Sequence, residues 1–370
     1  MGDPFAFGDE LGPAKVIHVR EPSIGLRGTL VIDNVAAGAA IGGLRIAPDV
    51  STEECSRLAR AMTLKNAAAG LPHGGGKSVL VGDPHMPRER KEQLIRAFAC
   101  ALRGADDYVF GPDMGSDETC MAWVHDEIGR AVGLPRELGG IPLDELGATG
   151  FGLRHAAEVA AKFSGFPLAG ARFVVQGFGS VGTHTARLLS AEGAVLVGAA
   201  DSRGAIADPE GIDCNALIAW KRSGKSVVEY ADGAHVAPAG LIGVACEIWI
   251  PAARPDAIRA ADVPHLRTRV VLPGANIAVT RDAEQLLDAQ DVLCLPDFIV
   301  NAGGVICAAA EWRGASEQAA FAAIAERIRA NTEAVLEASR ALRITPRAAA
   351  EQHAVARVRS AMSTRRWSIY

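Results

Sequence analysis

Apolar and polar positions along the first 150 residues follow periods typical of both strands and helices. Runs of β-branched and apolar residues indicate strands, whereas apolar residues three and four positions apart after Ser51 indicate an amphipathic helix that this serine can cap. The glycines at 74–76 are expected to form a turn between that helix and the next strand. The predicted helices cover residues 52–69 and 87–104, and the predicted strands cover residues 28–33, 78–81 and the start of 106–118.

The pattern changes after residues 135–150, a stretch rich in glycine and proline that is typical of a connection between domains. Beyond it, helices alternate with short buried strands, which predicts a parallel sheet with helices on both faces. The predicted strands cover residues 171–176, 194–200, 246–250, 269–272 and 292–295, and the helices between them include 150–164 and 181–192. From Gly303 onward the pattern is alanine-rich and helical.

Length and composition narrow the class of protein. A chain of 370 residues predicts two domains, at about 100–200 residues each. Lys and Arg number 38 against 43 Asp and Glu, and no basic stripe stands out, so nucleic acid is not expected as a partner. No run of 18 apolar residues occurs, so no membrane partner is expected either.

The seven cysteines are scattered and no pair has CxxC spacing. This distribution argues against a disulfide framework and against a zinc site, and no metal is expected. The first residues lack the apolar segment of a signal peptide. Together these features favour a cytoplasmic protein.

A glycine-rich motif, "VVQGFGSVG" at 174–182, follows a buried strand and opens a helix. A second strand then ends at Asp201, 19 residues after the last glycine of GxGxxG. This context predicts a dinucleotide site, because the glycines let backbone N–H groups and a helix N-terminus approach a pyrophosphate. A tight strand–helix turn without a ligand is the alternative. The residues expected to bind the cofactor here are Gly177, Phe178, Gly179, Ser180, Val181, Gly182, Asp201 and Ser202.

The residues after the second strand bear on the choice of cofactor. Asp201 favours NAD, because a carboxylate accepts hydrogen bonds from ribose hydroxyls and repels a 2′-phosphate. Arg203 leaves NADP possible, because an arginine there can pair with that phosphate.

Two lysines, Lys65 and Lys77, lie twelve residues apart on either side of the turn region. If both face one crevice, each lowers the proton affinity of the other, so that one can act as a base while the other holds a substrate anion. Asp113, in the loop "GPDMGSDE", is a candidate proton relay. Unrelated surface lysines and an ordinary turn aspartate are the alternative interpretations.

Seven segments occur in a fixed order along the chain: "GGLRIAPDV" (42–50), "MTLKNAAAGLPHGGGKSVLVGDP" (62–84), "GPDMGSDE" (111–118), "GATGFGL" (147–153), "VVQGFGSVG" (174–182), "LPGAN" (272–276) and "LPDFIVNAGGV" (295–305). Together they resemble the glutamate/leucine/phenylalanine/valine dehydrogenase family, and the resemblance covers roughly residues 15–315. The resemblance implies oxidative deamination of an α-amino acid to a 2-oxo acid and ammonia, with reduction of NAD or NADP.

The resemblance also implies individual roles. Lys65 matches the lysine that binds the substrate α-carboxylate, Lys77 the catalytic lysine, and Asp113 the aspartate that moves protons to and from the amino nitrogen. The other matching positions line the substrate pocket or lie beside the nicotinamide. They are Gly42, Gly43, Thr149, Asn276, which is expected to touch both substrate and cofactor, and Asn301.

The fold implied is α/β, in three parts. Residues 1–146 are expected to form an N-terminal α/β domain for substrate binding, catalysis and oligomerisation. Residues 147–305 are expected to form a Rossmann-like dinucleotide-binding domain, and residues 306–370 to form helices that pack back toward the first domain. The active site is expected in the cleft between the two domains. The family assembles into dimers, hexamers or octamers, so a homo-oligomer is expected.

Two positions bear on the substrate. Glutamate-specific members carry a lysine where this chain has Ile41 and a serine where it has Ala308. A γ-carboxylate buried without those partners is costly, so we expect an apolar, aliphatic or aromatic, side chain. A glutamate dehydrogenase that finds its carboxylate partner elsewhere is one alternative. A catalytically silent structural or regulatory paralogue is another, although the retention of both lysines and Asp113 argues against it.

Overall fold

The computed structural model describes residues 8–231 and 233–364 and divides the chain into two units. Unit 1 contains residues 1–143, 305–320 and 351–370, and unit 2 contains residues 144–304 and 321–350, apart from those the structure does not describe. The C-terminal helical region is therefore divided: residues 305–320 and 351–370 belong to unit 1, and residues 321–350 belong to unit 2.

Unit 1 is built on a sheet of five strands. The strands are β1 (Lys15–Glu21), β2 (Leu26–Asn34), β3 (Ala40–Ala47), β4 (Gly74–Val81) and β5 (Tyr108–Pro112), in the spatial order β1-β2-β4-β3-β5. β1, β2 and β4 pair antiparallel, whereas β3 pairs parallel with both β4 and β5. β3 therefore lies between the strand that carries Lys77 and the strand that leads to Asp113.

Helices cover this sheet because side chains alternate between its two faces. The helices are α1 (Thr52–Ala68), α2 (Arg88–Ala101) and α3 (Glu118–Ile128), and the single turn α4 (Leu143–Leu146) follows at the boundary between the two units in sequence. Cys55 and Ala59 of α1 pack against Val31 and Val79 on one face. The large core of the unit, with residues such as Leu30, Phe98 and Phe110, lies on the other face, with α2 and α3.

The predicted glycine turn before β4 is wrong. Gly74, Gly75 and Gly76 lie inside the strand, which begins at Gly74 rather than at Ser78. The physical reason is the close approach of α1, because a Cβ on Gly75 would lie 2.0 Å from the backbone nitrogen of Thr63. The glycines thus serve helix–strand packing, and Lys77 is a residue of the strand interior.

Unit 2 contains a sheet of seven strands. They are β6 (Arg172–Gln176), β7 (Val195–Asp201), β8 (Gly204–Ala207), β9 (Ala234–Val236), β10 (Ile248–Pro251), β11 (Val270–Val271) and β12 (Leu293–Cys294), in the order β12-β11-β10-β6-β7-β8-β9. The first five of that order are parallel, as predicted. The sequence did not predict β8 and β9, which extend the sheet antiparallel at one edge.

The remaining helices follow the chain order. They are α5 (Ala148–Phe163), α6 (Ser180–Ala191), α7 (Cys214–Arg222), α8 (Pro238–Leu241), α9 (Arg281–Ala289), α10 (Asp297–Val300), α11 (Gly303–Trp312), α12 (Glu317–Leu342) and α13 (Pro346–Thr364). Apolar residues of β6, β10, β11 and α9, including Val174, Trp249, Val271 and Leu287, form a core of unit 2.

Three findings concern chemistry within residues 8–231 and 233–364. No helix there is long and apolar enough to cross a membrane. No group of three or more His, Cys, Asp or Glu side chains in that part of the chain is arranged to hold a metal. All seven cysteines have free thiols.

Candidate active site

Lys77 and Asp113 form an ion pair in unit 1. The Nζ atom of Lys77, on β4, lies 2.6 Å from Oδ2 of Asp113, which directly follows β5, and their side chains are 7% and 21% exposed. Burial acts to raise the pKa of Asp113, but the charges of Lys77 and Arg45 outweigh it and hold the pKa at about 2. Asp113 is therefore ionised at neutral pH and holds the lysine by a charge-assisted contact.

Gly43 on β3 lets this ion pair lie directly against the strand backbone. A Cβ at Gly43 would lie 2.7 Å from Cβ of Asp113 and 3.2 Å from Nζ of Lys77. Gly43 pairs with Gly111 of β5, where a Cβ would meet nothing closer than Val132, at 3.6 Å. Two neighbouring strands therefore present backbone rather than side chains next to the ion pair, and the space that a side chain at Gly43 would need is taken by Asp113 and Lys77.

Arg45 is a functional candidate that sequence reasoning missed. Its Nε lies 3.1 Å from Oδ2 of Asp113, and its terminal NH1 donates to Oε1 of Glu54 at 2.7 Å. The signal that could have found it is strand periodicity, because Arg45 follows Gly43 by two positions on β3 and so lies on the same face of the sheet.

Lys65 lies in the last turn of α1, the helix that packs against β4. It is 9% exposed and Lys77 is 5% exposed, so the alternative that both are surface lysines is wrong. The described geometry joins Lys77 directly to a carboxylate, a partner that the two-lysine hypothesis did not include.

The remaining positions expected at the substrate pocket are apolar or contribute backbone. Ile41 and Ala308 are both buried, and the carbonyl of Gly42 accepts a hydrogen bond from the Tyr108 hydroxyl at 2.7 Å. Ala308 belongs to α11, whose Glu311 accepts hydrogen bonds from backbone N–H groups of the segment 134–141. Burial raises the pKa of Glu311, although those hydrogen bonds oppose the shift.

The glycine motif of unit 2 has the geometry of a dinucleotide cradle. β6 ends at Gln176, α6 begins at Ser180, and a Cβ on Gly182 would lie 2.1 Å from the carbonyl oxygen of Gly177. A Cβ on Gly179, at the N-cap of α6, would meet nothing within 4 Å. The helix N-terminus is therefore open to an anion such as a pyrophosphate, and the residues present fit the predicted cofactor.

Not every N–H group of the motif is available for such a ligand. The N–H groups of Gly177 and Phe178 both donate to the carbonyl of Ala200, at 2.9 and 2.6 Å, and the Phe178 side chain is buried. The backbone of Ser180 and Val181 at the start of α6 is thus the better candidate for holding phosphate oxygens.

Asp201 lies where the motif predicts, at the end of β7, but its carboxylate is engaged within the protein. It accepts from Lys221 Nζ at 2.7 Å, from Ser226 Oγ at 2.8 Å and from the backbone of Val227 and Arg203. Burial acts to raise the pKa of Asp201, but these hydrogen bonds hold it far below its ordinary value. The expected role on the ribose therefore requires Asp201 to exchange partners.

The neighbours of Asp201 at this edge are exposed. Ser202 and Arg203 are both accessible, and Arg203 pairs at 3.1 Å with Glu229, which is exposed as well. Arg203 and Glu229 are therefore both more accessible at this edge than the predicted carboxylate of Asp201.

Thr149, Asn276 and Asn301 approach one another in unit 2. Asn301 Nδ2 donates to Asn276 Oδ1 at 3.1 Å, and a Cβ on Gly303 would lie 3.2 Å from Cα of Thr149 in the first turn of α5. The backbone N–H of Ile277, a residue with φ of +53°, donates to Asp297 at 2.7 Å and fixes the "GAN" loop. Asn276 and Asn301 are thus in direct contact, whereas Thr149 lies beside Gly303, two residues after Asn301.

Comparison of the sequence with known proteins finds two family models and several relatives. The sequence model described as "Glutamate/Leucine/Phenylalanine/Valine dehydrogenase" matches residues 139–366, and that of the "Glu/Leu/Phe/Val dehydrogenase, dimerisation domain" matches residues 13–130. An NADP-specific glutamate dehydrogenase of Saccharolobus shibatae is 34% identical over 81% of this chain and 75% of its own length. A glutamate dehydrogenase of Thermotoga maritima is 37% identical over 77% of this chain and 72% of its own length.

Solved structures give the same match in three dimensions. The hetero-hexameric glutamate dehydrogenase of Thermus thermophilus, in a Leu-bound form, superposes with a TM-score of 0.86 at 28% identity, covering 96% of this chain and 91% of its own. The L-tryptophan dehydrogenase of Nostoc punctiforme superposes with a TM-score of 0.74 at 23% identity, covering 95% and 98%, which establishes a shared fold.

Proposed function

Because this chain belongs to the glutamate/leucine/phenylalanine/valine dehydrogenase family, and is therefore an amino acid dehydrogenase, we propose that it oxidatively deaminates L-glutamate with NADP or NAD. The observation that carries the proposal is the ion pair of Lys77 and Asp113, which lies against the backbone of Gly43. A buried cation in contact with a partly exposed carboxylate supplies the proton donor and the proton acceptor that reversible proton transfer to a small substrate requires.

The roles of the chain's own residues follow from their chemistry. Lys65 binds the α-carboxylate of the substrate. Once the Cα–H bond has been oxidised to the iminium, Lys77 assists the attack of water on that carbon, and Asp113 moves protons to and from the nitrogen as ammonia leaves. The polar atoms of the last two are 2.6 Å apart, which is within the distance of a direct proton transfer.

The cofactor is assigned to the glycine motif of unit 2. Bound there, NADP or NAD supplies the hydride acceptor of the reaction. Ser180 and Val181 hold the pyrophosphate at the N-terminus of α6, and Thr149, Asn276 and Asn301 hold the nicotinamide end.

We propose that NADP is accepted, against the preference for NAD that Asp201 alone suggests. The carboxylate of Asp201 is occupied by Lys221 and Ser226, so it neither offers free acceptors to the ribose nor stands as an unpaired charge against a 2′-phosphate. Arg203 is exposed beside it and can exchange Glu229 for a phosphate.

L-glutamate is proposed as the substrate because the relatives that cover most of this chain are named glutamate dehydrogenases. An L-amino acid with an apolar side chain is the second candidate, and Ile41 and Ala308 favour it. Both are buried and apolar at positions where glutamate-specific members carry a lysine and a serine. The sequence-based expectation of an apolar substrate is not confirmed by the relatives.

A homo-oligomer is proposed as the working form. The match of residues 13–130 to a dimerisation domain supports it. The Thermus thermophilus relative is a hetero-hexamer, which supports an oligomer but not identical subunits.

The test is a substrate panel. Purified protein is assayed by absorbance at alkaline pH for reduction of NADP and of NAD with L-glutamate, L-leucine, L-phenylalanine, L-valine and L-tryptophan. The proposal expects the highest kcat/KM with glutamate and measurable turnover with NADP. A clear preference for an apolar amino acid refutes glutamate as the substrate and supports the second candidate.

The Lys77→Met variant serves as the matched control, because methionine keeps the length of the side chain and removes its ammonium group. It is expected to bind the cofactor normally and to lose turnover. The absence of turnover in the unmodified protein, with all substrates and both cofactors, would instead support a structural or regulatory paralogue.

A further inference from the structure

Two cations converge on a single oxygen atom in unit 1. Oδ2 of Asp113 lies 2.6 Å from Nζ of Lys77 and 3.1 Å from Nε of Arg45. We propose that Arg45 is a positioning residue for the deamination, which holds Asp113 in place and keeps it compensated while Lys77 gives up its proton. This inference rests on the proposed function and assigns it a further residue.

The reason for a second cation lies in the burial of the pair. If Lys77 acts as a base, it is neutral for part of every turnover, and Asp113 would then be a buried carboxylate without a counter-ion. Such an unpaired charge is costly, and the carboxylate would either capture the proton or turn away from the site. An arginine stays charged throughout, because its guanidinium does not lose its proton in proteins.

The placement of Arg45 is suited to this task. It stands on β3, two positions after Gly43, so it projects from the face of the sheet against which Lys77 and Asp113 lie. Its NH1 donates to Glu54 in the first turn of α1, whose backbone N–H is capped by Ser51. The guanidinium thus spans from a fixed helix end to the catalytic carboxylate, and its Nε holds one oxygen of that carboxylate at 3.1 Å.

The other charged or titratable groups around Asp113 do not replace Arg45. Lys77 approaches from β4 and Glu54 stands behind Arg45 on α1. On β5 itself, burial raises the pKa of Tyr108 far above neutrality, so that the phenol stays neutral. Cys55 of α1 is neutral as well, because burial raises its pKa to about 12.

The experiment compares Arg45→Met with Arg45→Lys in the full-length protein. When kcat/KM is plotted against pH, the rising limb reports the group that must lose its proton before the reaction. Removing a cation makes every neighbouring group bind protons more tightly, so Arg45→Met should move this limb by about 1 pH unit to higher pH. It should also lower kcat by about 10- to 100-fold through misplacement of Asp113. Arg45→Lys restores the charge and should return the limb to its original position, while regaining only part of kcat.

Two control variants separate this role from a structural one. Glu54→Gln removes the carboxylate that holds Arg45 but leaves the cation in place. The limb of its kcat/KM profile should therefore stay where it is or move to lower pH, in the opposite direction to that of Arg45→Met. Arg60→Met breaks a comparable arginine of α1, paired with Asp9 and Asp33, and should lower the Tm without moving the limb. If Arg45→Met lowers activity equally at every pH and leaves the limb in place, the proposal is overturned.

A second measurement needs no turnover, so it stands even if the proposed function fails. The loss of Tm on acidification from pH 5 to pH 3 is compared with and without Asp113→Asn, once in the natural background and once in Arg45→Met. The share of the Tm loss that disappears with Asp113→Asn is the contribution of Asp113. This contribution should be smaller in the Arg45→Met background, because the ionised Asp113 has lost one of its two counter-ions. An equal contribution in both backgrounds would show that Arg45 does not act on Asp113.

Discussion

Adding one methyl group at Gly43 is the sharpest perturbation of the site that the structure offers. The alanine Cβ would lie 2.7 Å from Cβ of Asp113, 2.9 Å from the carbonyl oxygen of Pro112 and 3.2 Å from Nζ of Lys77. The lysine end can swing aside, but the other two atoms belong to β5 and its immediate continuation. Strand β5 must therefore move away from β3, or Asp113 must leave the lysine.

The expected loss of activity follows from how closely the alanine Cβ would approach its neighbours. Carbon atoms in contact normally stay about 3.5–4.0 Å apart, so relief at Asp113 needs a displacement of roughly 1 Å. Misplacing a reacting group by 1 Å costs on the order of 100-fold in rate. Overpacking of this kind also costs about 1–3 kcal/mol of stability. We therefore expect Gly43→Ala to lower kcat/KM by about 100-fold and to leave a folded protein with a moderately reduced Tm.

The assay is kcat/KM for the preferred amino acid, together with a thermal melt. Gly104→Ala is the matched control, because a Cβ there meets nothing within 4 Å, and it should keep both activity and Tm. If Gly43→Ala stays within about threefold of the parent protein while melting normally, then the strand surface beside Lys77 and Asp113 is not where the substrate reacts.

Three further changes test other parts of the reasoning. Ile41→Lys should raise kcat/KM for glutamate relative to leucine by at least about tenfold, since a charge-assisted hydrogen bond contributes about 1.5–3 kcal/mol. An unchanged ratio would show that Ile41 does not contact the substrate side chain. Arg203→Ser should lower kcat/KM for NADP by about 10- to 100-fold and change that for NAD by less than threefold, whereas an equal loss with both cofactors would contradict the assignment of the phosphate. The pKa of Asp113 is lowered from 3.8 to about 2, so the stability it contributes is complete above pH 4 and is lost as the pH falls toward 2. Asp113→Asn should therefore lack about 2 kcal/mol of acid-dependent stability in urea unfolding, and equal acid sensitivity of variant and parent would contradict the ion pair.

The glycine run shows where reasoning from sequence stops. Three consecutive glycines before a lysine are locally a turn signal, and nothing in the neighbouring residues contradicts it. The structure makes the same residues part of β4 because α1 approaches too closely for any side chain at Gly75. Contacts between segments decided the outcome, and such contacts carry no periodic signature in the sequence.

The dinucleotide motif, in contrast to the glycine run, could be placed on its strand, turn and helix from the sequence alone. Strand, turn, helix and second strand lie where the pattern predicts, because each depends on local periodicity and on glycines at fixed spacing. The partners of Asp201 could not be predicted in the same way. Lys221 and Ser226 follow it by 20 and 25 residues, on a helix and a loop that the motif does not include.

The buried charges of the candidate site balance in a way that two lysines alone could not. Lys77 and Arg45 supply two cations, and Asp113 and Glu54 supply two carboxylates, joined in one continuous chain of contacts. A neutral cluster is much less costly to bury than a pair of ammonium groups, which explains how unit 1 can keep Lys77 withdrawn from water. Arg45 contacts the same carboxylate oxygen as Lys77, so Asp113 keeps a cationic neighbour in the deamination that we propose even when Lys77 is neutral.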